Sequence, residues 1–130
     1  MQISVLPAFT DNYLFALRGA AGVAVVDPGD AAVIERHLRD NDLQLTAMLI
    51  THHHPDHIGG MSRLAAHWPH ARRIGPDDSR IPDLTEVVGD GDRVALDEDN
   101  VLHVLALPGH TRSHIAYHDD ANVFCGDVLF

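Results

Sequence analysis

Leu45-Thr46-Ala47-Met48-Leu49-Ile50 runs directly into Thr51-His52-His53-His54-Pro55-Asp56-His57-Ile58-Gly59-Gly60. The first stretch is a nearly continuous apolar run bounded by turns, the pattern of a strand buried on both faces. Gly59-Gly60 leads into a short helix predicted over Met61–His67. Side chains converge in the loop between them, where the chain changes direction. In extended backbone, residues two apart point the same way, so His52 and His54 can grip one cation while His53 faces away. Asp56 and His57, at the turn into the helix, can face a second cation beside it. Imidazole and carboxylate suit zinc, and also iron or manganese. The plain alternative is a set of loop histidines with no role, but they lie between a core strand and a glycine pair.

Upstream, residues 3–7, 13–17 and 23–26 read as short strands separated by Thr10-Asp11-Asn12 and by Gly19-Ala20-Ala21-Gly22. Asp27-Pro28-Gly29-Asp30 stops the third strand, and Ala31, Ile34 and Leu38 give helical spacing to the segment that follows. Downstream, residues 74–75 end a brief strand, and residues 76–92, rich in Asp, Pro and Gly, read as loops. Residues 93–96 and 101–107 are predicted strands, and 115–118 and 122–125 form a hairpin across Asp119-Asp120. Strands mixed with helices in this order predict a layered α/β fold, one domain over residues 1–130. The chain closes on the apolar Val128-Leu129-Phe130, which predicts an incomplete, N-terminal portion of a longer domain.

Composition narrows the function. The net charge is −10, with nine arginines and no lysine, so a phosphate backbone is repelled and nucleic acid is not an expected partner. Apolar stretches fall short of the ~20 residues that span a bilayer. The N-terminus lacks a basic, then apolar, leader, and the single cysteine, Cys125, cannot form an internal disulfide. A cytoplasmic setting without membrane contact or an obligate protein partner is therefore expected. Eleven histidines in 130 residues are the outlier.

Two of the remaining candidates follow strands and glycines: His110 after Pro108-Gly109, and Asp127 after Cys125-Gly126. Glycine permits close backbone approach to a crowded site. With the histidine run, His110 can complete the first cation's ligands, and Asp127 can bridge both cations, as pairs about 3.5–4 Å apart require. Asp27 reads equally as a helix cap and as an acceptor orienting a ligand histidine. His114 is likewise either structural or orienting. This donor set serves metal-assisted hydrolysis, with Asp56 placed to orient the attacking water.

The run His52-His53-His54-Pro55-Asp56-His57 resembles the His-x-His-x-Asp-His signature of the metallo-β-lactamase superfamily. Phe9-Thr10-Asp11-Asn12-Tyr13-Leu14, Val25-Val26-Asp27-Pro28-Gly29-Asp30, Leu107-Pro108-Gly109-His110-Thr111 and Cys125-Gly126-Asp127-Val128-Leu129-Phe130 resemble the glyoxalase II family within it. The resemblance implies an αββα sandwich, here incomplete, and two divalent metal ions, zinc foremost, with iron or manganese as alternatives. It places His52, His54 and His110 on one ion, Asp56 and His57 on the other, and Asp127 between them. It implies hydrolysis of a small-molecule glutathione thioester, S-lactoylglutathione, to glutathione and D-lactate. Lactone hydrolysis, persulfide dioxygenation and an inactive metal-binding fragment are the alternatives. Ser113 departs from the family, whose members commonly carry glycine there. Members are about twice this length, and their second half supplies the last histidine and most glutathione contacts.

Overall fold

The computed structural model describes residues 1–8, 12–107 and 113–126. Strands β1 (Gln2–Ala8), β2 (Asn12–Gly19) and β3 (Gly22–Val26) pair antiparallel in sequence. Helix α1 (Ala31–Asp40) then carries the chain back, so that β4 (Leu45–Leu49) joins β3 in parallel. Asp30 starts that helix: its carboxylate accepts from the backbone N–H groups of Ala32 and Val33 at 3.1 and 3.4 Å. Helices α2 (Pro55–Ile58) and α3 (Met61–His67) follow, and β5 (Arg72–Gly75) and β6 (Glu86–Val87) extend the sheet in parallel. Its order is β1-β2-β3-β4-β5-β6. A second sheet, ordered β10-β9-β8-β7, is antiparallel throughout and consists of β7 (Arg93–Ala95), β8 (Val101–Ala106), β9 (Ile115–His118) and β10 (Val123–Phe124).

Alternation along the central strands divides the core. Leu14, Ala16, Val23, Val25 and Met48 pack with Ile34 and Leu38 of α1 and with Met61 and Leu64 of α3. Their neighbours Leu17, Ala24, Val26, Ala47 and Leu49 face the other way, against Leu102, Val104, Ile115, Tyr117 and Phe124 of the second sheet. Helices, first sheet and second sheet therefore form successive layers, with β3 and β4 buried on both faces. These layers correspond to part of the expected αββα sandwich. Glu35 of α1 and Arg63 of α3 lock the helical layer through a paired contact at 2.7 and 2.9 Å.

One buried tyrosine ties the two sheets together beneath the histidine loop. Tyr117 donates its hydroxyl hydrogen to the carbonyl of Ile50 at 2.7 Å and lies 3.3 Å from that of Ile74. Burial first, and the nearby Asp27 charge second, hold its pKa well above the ordinary value, so it stays a donor. The Ile115 N–H donates to the carbonyl of Thr51 at 3.0 Å, fastening the second sheet to the first residue of the loop.

Candidate metal centre

The parallel strands β3 and β4 end side by side, and their carboxyl ends deliver Asp27 and Thr51-His52 to one place. Asp27 stands in the left-handed region at φ 51°, which aspartate tolerates better than most residues. Its own N–H bonds the Leu49 carbonyl at 2.8 Å, and its carboxylate turns inward. There it is only 5% exposed. Oδ1 accepts from the Thr51 N–H at 2.7 Å, and Oδ2 accepts from the Thr51 hydroxyl at 2.6 Å. The same Oδ2 lies 3.0 Å from Nδ1 of His57. Of the two sequence readings of Asp27, helix cap and histidine orienter, the contacts match the second, and Asp30 takes the cap.

These contacts dictate histidine tautomers. A carboxylate only accepts, so the His57 nitrogen facing Asp27 carries the hydrogen. Thr51 has one hydroxyl hydrogen, and Asp27 takes it. His52 Nδ1, 2.8 Å from the Thr51 hydroxyl oxygen, must therefore be the donor in that pair. In the neutral form of each ring Nε2 is then the nitrogen with the lone pair. One buried carboxylate thus sets two imidazoles, His57 directly and His52 through Thr51.

The remaining donors gather around His52, which is fully buried. Its ring centroid lies 4.3 Å from that of His57 and 4.7 Å from that of His54. Asp27, His52 and His57 each offer a ligand-type atom, all within 4.8 Å of one another. Asp56, its side chain 47% exposed, places Oδ2 3.4 Å from Nε2 of His57. Two ligands held at ~2.1 Å from one tetrahedral cation stand ~3.4 Å apart, so this pair fits a shared ion. Nitrogen and carboxylate donors around a buried acidic anchor are the chemistry a divalent cation requires.

His114 lies behind His52, its ring stacked at 4.6 Å and 15°, and its Nε2 bonds the Cys125 carbonyl at 2.8 Å. Gly126 closes this side at φ 63°; a Cβ there would stand 2.6 Å from the Thr51 hydroxyl and 3.2 Å from His52 Nδ1. Gly29 shows the same economy of space, since a Cβ on it would overlap the Asp56 carbonyl. His53 places Nδ1 3.6 Å from Asp78, and its ring also meets that of His54 edge-on at 4.8 Å. Cys125 is half-buried, and burial pushes its thiol up, which suits a packing residue better than a nucleophile.

The structure therefore brings His52, His54, Asp56 and His57 together, with Asp27 and His114 directly behind them. His110 and Asp127 lie outside the described residues. Thr51 is a contributor, and Asp78 a neighbour of His53, that sequence reasoning passed over. Adjacency to the histidines was the available signal for Thr51; Asp78 had none.

The metallo-beta-lactamase superfamily pattern matches residues 7–130. A hydroxyacylglutathione hydrolase of Stenotrophomonas maltophilia is 51% identical over 132 residues, covering 100% of this chain and 51% of that protein. Another, from Vibrio cholerae, is 47% identical over 131 residues, covering 100% of this chain and 52% of the relative. The chain thus spans about half the length of the curated relatives it matches. Among solved structures, ETHE1 from Myxococcus xanthus superposes with a TM-score of 0.85 at 29% identity, over 100% of this chain and 59% of that one. Fold, site geometry and sequence pattern agree: this chain belongs to the metallo-β-lactamase superfamily.

Proposed function

We propose that this chain supplies the metal-binding part of a hydroxyacylglutathione hydrolase, which cleaves S-lactoylglutathione to glutathione and D-lactate. The observation that carries the proposal is the Asp27-anchored histidine cluster, in a sequence 51% identical to a hydrolase of that name. His52, His54 and His110 are assigned to one cation, Asp56 and His57 to a second, and Asp127 to the bridge. Zinc suits this nitrogen and carboxylate set, as do iron and manganese. Bound there, divalent cations supply a hydroxide at neutral pH and polarise the thioester carbonyl.

The chain's own residues do the rest. Asp27 and Thr51 favour hydrogen on Nδ1 of His57 and His52, which would leave each Nε2 able to ligate a cation. His114 braces the His52 ring from behind. Asp56, exposed at the mouth, presents its carboxylate to the attacking water and orients it. The departing thiolate is a stable anion and needs no strong acid. Among those residues no helix is long and apolar enough to cross a membrane. The cytoplasmic setting belongs to this proposal and is supported by the single cysteine.

The test is turnover by the protein encoded by the complete reading frame, loaded with zinc, against S-lactoylglutathione, a lactone and glutathione persulfide. Thioester hydrolysis at least a hundredfold faster than lactone hydrolysis is expected, with no oxygen consumed on the persulfide. Metal-loaded protein inert toward the thioester, or preferring either of the others, contradicts the assignment. The chain of 130 residues alone is expected to bind metal but show little turnover.

A further inference from the structure

A second carboxylate, its side chain well enclosed, borders the histidine loop at His53. Asp78 belongs to the segment between β5 and β6, and its side chain is 4% exposed. Arg80 pairs with it along both edges, Nε to Oδ1 at 2.9 Å and Nη2 to Oδ2 at 2.7 Å, and the Arg80 N–H adds a bond to Oδ1 at 3.0 Å. These bonds come from the same loop and suffice to neutralise the charge. Two further contacts come from elsewhere. Ser113 donates its hydroxyl to Oδ2 at 2.6 Å across 35 positions of sequence, and His53 Nδ1 lies 3.6 Å from the same oxygen.

Those two contacts belong to the two segments that frame the metal centre. His53 lies between His52 and His54, and Ser113 immediately precedes His114, which stacks on His52. We propose that Asp78 is a positioning residue for the metal centre, holding the histidine loop and the segment around Ser113 and His114 at a fixed separation. Ser113 is its handle on the second segment. A glycine there would lack the hydroxyl and break Asp78's contact with the second segment. Hydrogen bonds from Arg80 foremost, then from Ser113, hold the carboxyl of Asp78 far below the usual range, so the clamp stays charged at neutral pH. The inference rests on the metal-binding reading of the site, not on its substrate.

Cobalt(II) titration of the wild-type chain, Ser113→Ala, Asp78→Asn and the double variant, with a competing chelator and the visible absorption band as readouts, tests it. Asp78→Asn should weaken cobalt binding about tenfold and shift the band. Ser113→Ala, which changes one small side chain and leaves the fold intact, should weaken it about threefold. Because Ser113 acts through Asp78, the double variant should bind no more weakly than Asp78→Asn. Wild-type affinity and spectrum in Ser113→Ala overturn the clamp, as do fully additive losses. If Asp78→Asn fails to fold, Ser113→Ala decides alone. A wild-type chain that binds no cobalt defeats the metal reading and the clamp with it.

Discussion

Asp27→Asn is expected to weaken divalent-metal binding by about 10–100-fold, or about 1.4–2.7 kcal/mol, measured by competition with a chelator. The substitution preserves size, and asparagine accepts the left-handed backbone found at Asp27 as readily as aspartate does. What changes is the second terminal atom. The Thr51 N–H needs an acceptor at Oδ1, so the amide oxygen stays there and the NH₂ takes the place of Oδ2. That NH₂ then faces the hydroxyl hydrogen of Thr51 and the Nδ1 hydrogen of His57, donor against donor. The favourable response is for His57 to move its hydrogen to Nε2, the nitrogen the cation requires. The metal-free fold, held by the layered core, should survive with much smaller loss. An affinity within threefold of wild type would show that Asp27 does not control the tautomer.

Thr51→Val carries the second large effect, and on a different readout. Valine matches threonine in shape and removes only the hydroxyl. The loss strips one partner from Asp27 Oδ2 and the acceptor from His52 Nδ1, both in a region from which water is excluded. Leaving a buried polar group unsatisfied costs about 1–3 kcal/mol, so urea unfolding of the metal-free chain should show a loss of that size. Metal affinity should fall as well, because the His52 tautomer is no longer set. Thr51→Ser retains the oxygen and should recover most of both losses. Equal behaviour of the valine and serine variants would remove the hydroxyl from the account.

Much of this is legible in the sequence. The helices over Ala31–Asp40 and Met61–His67 and the strand over Ile115–His118 stand where periodicity and turn residues put them. Shorter elements did not declare themselves. Helix α2 has four residues and begins with Pro55, so it is one turn whose only local signal is a proline at its start. Strand β6 is a pair of residues inside a stretch that reads as loop, and its parallel pairing with β5 supplies the reason it is extended. Asp27 stayed ambiguous because its role is decided by Thr51 and His57, which lie 24 and 30 positions away. Asp78 was silent for the same reason: no local pattern distinguishes a clamp from the surrounding loop aspartates.

On the proposed reading, histidines with tautomers set by Asp27, together with carboxylates, hold divalent metal in this chain. X-ray absorption at the zinc K-edge of the zinc-loaded chain tests it most directly. The predicted spectrum has only nitrogen and oxygen neighbours at ~2.0–2.2 Å, with outer-shell scattering from several imidazoles. A sulfur shell at ~2.3 Å, which would put Cys125 on the metal, or a chain that retains no zinc after gel filtration, would contradict it.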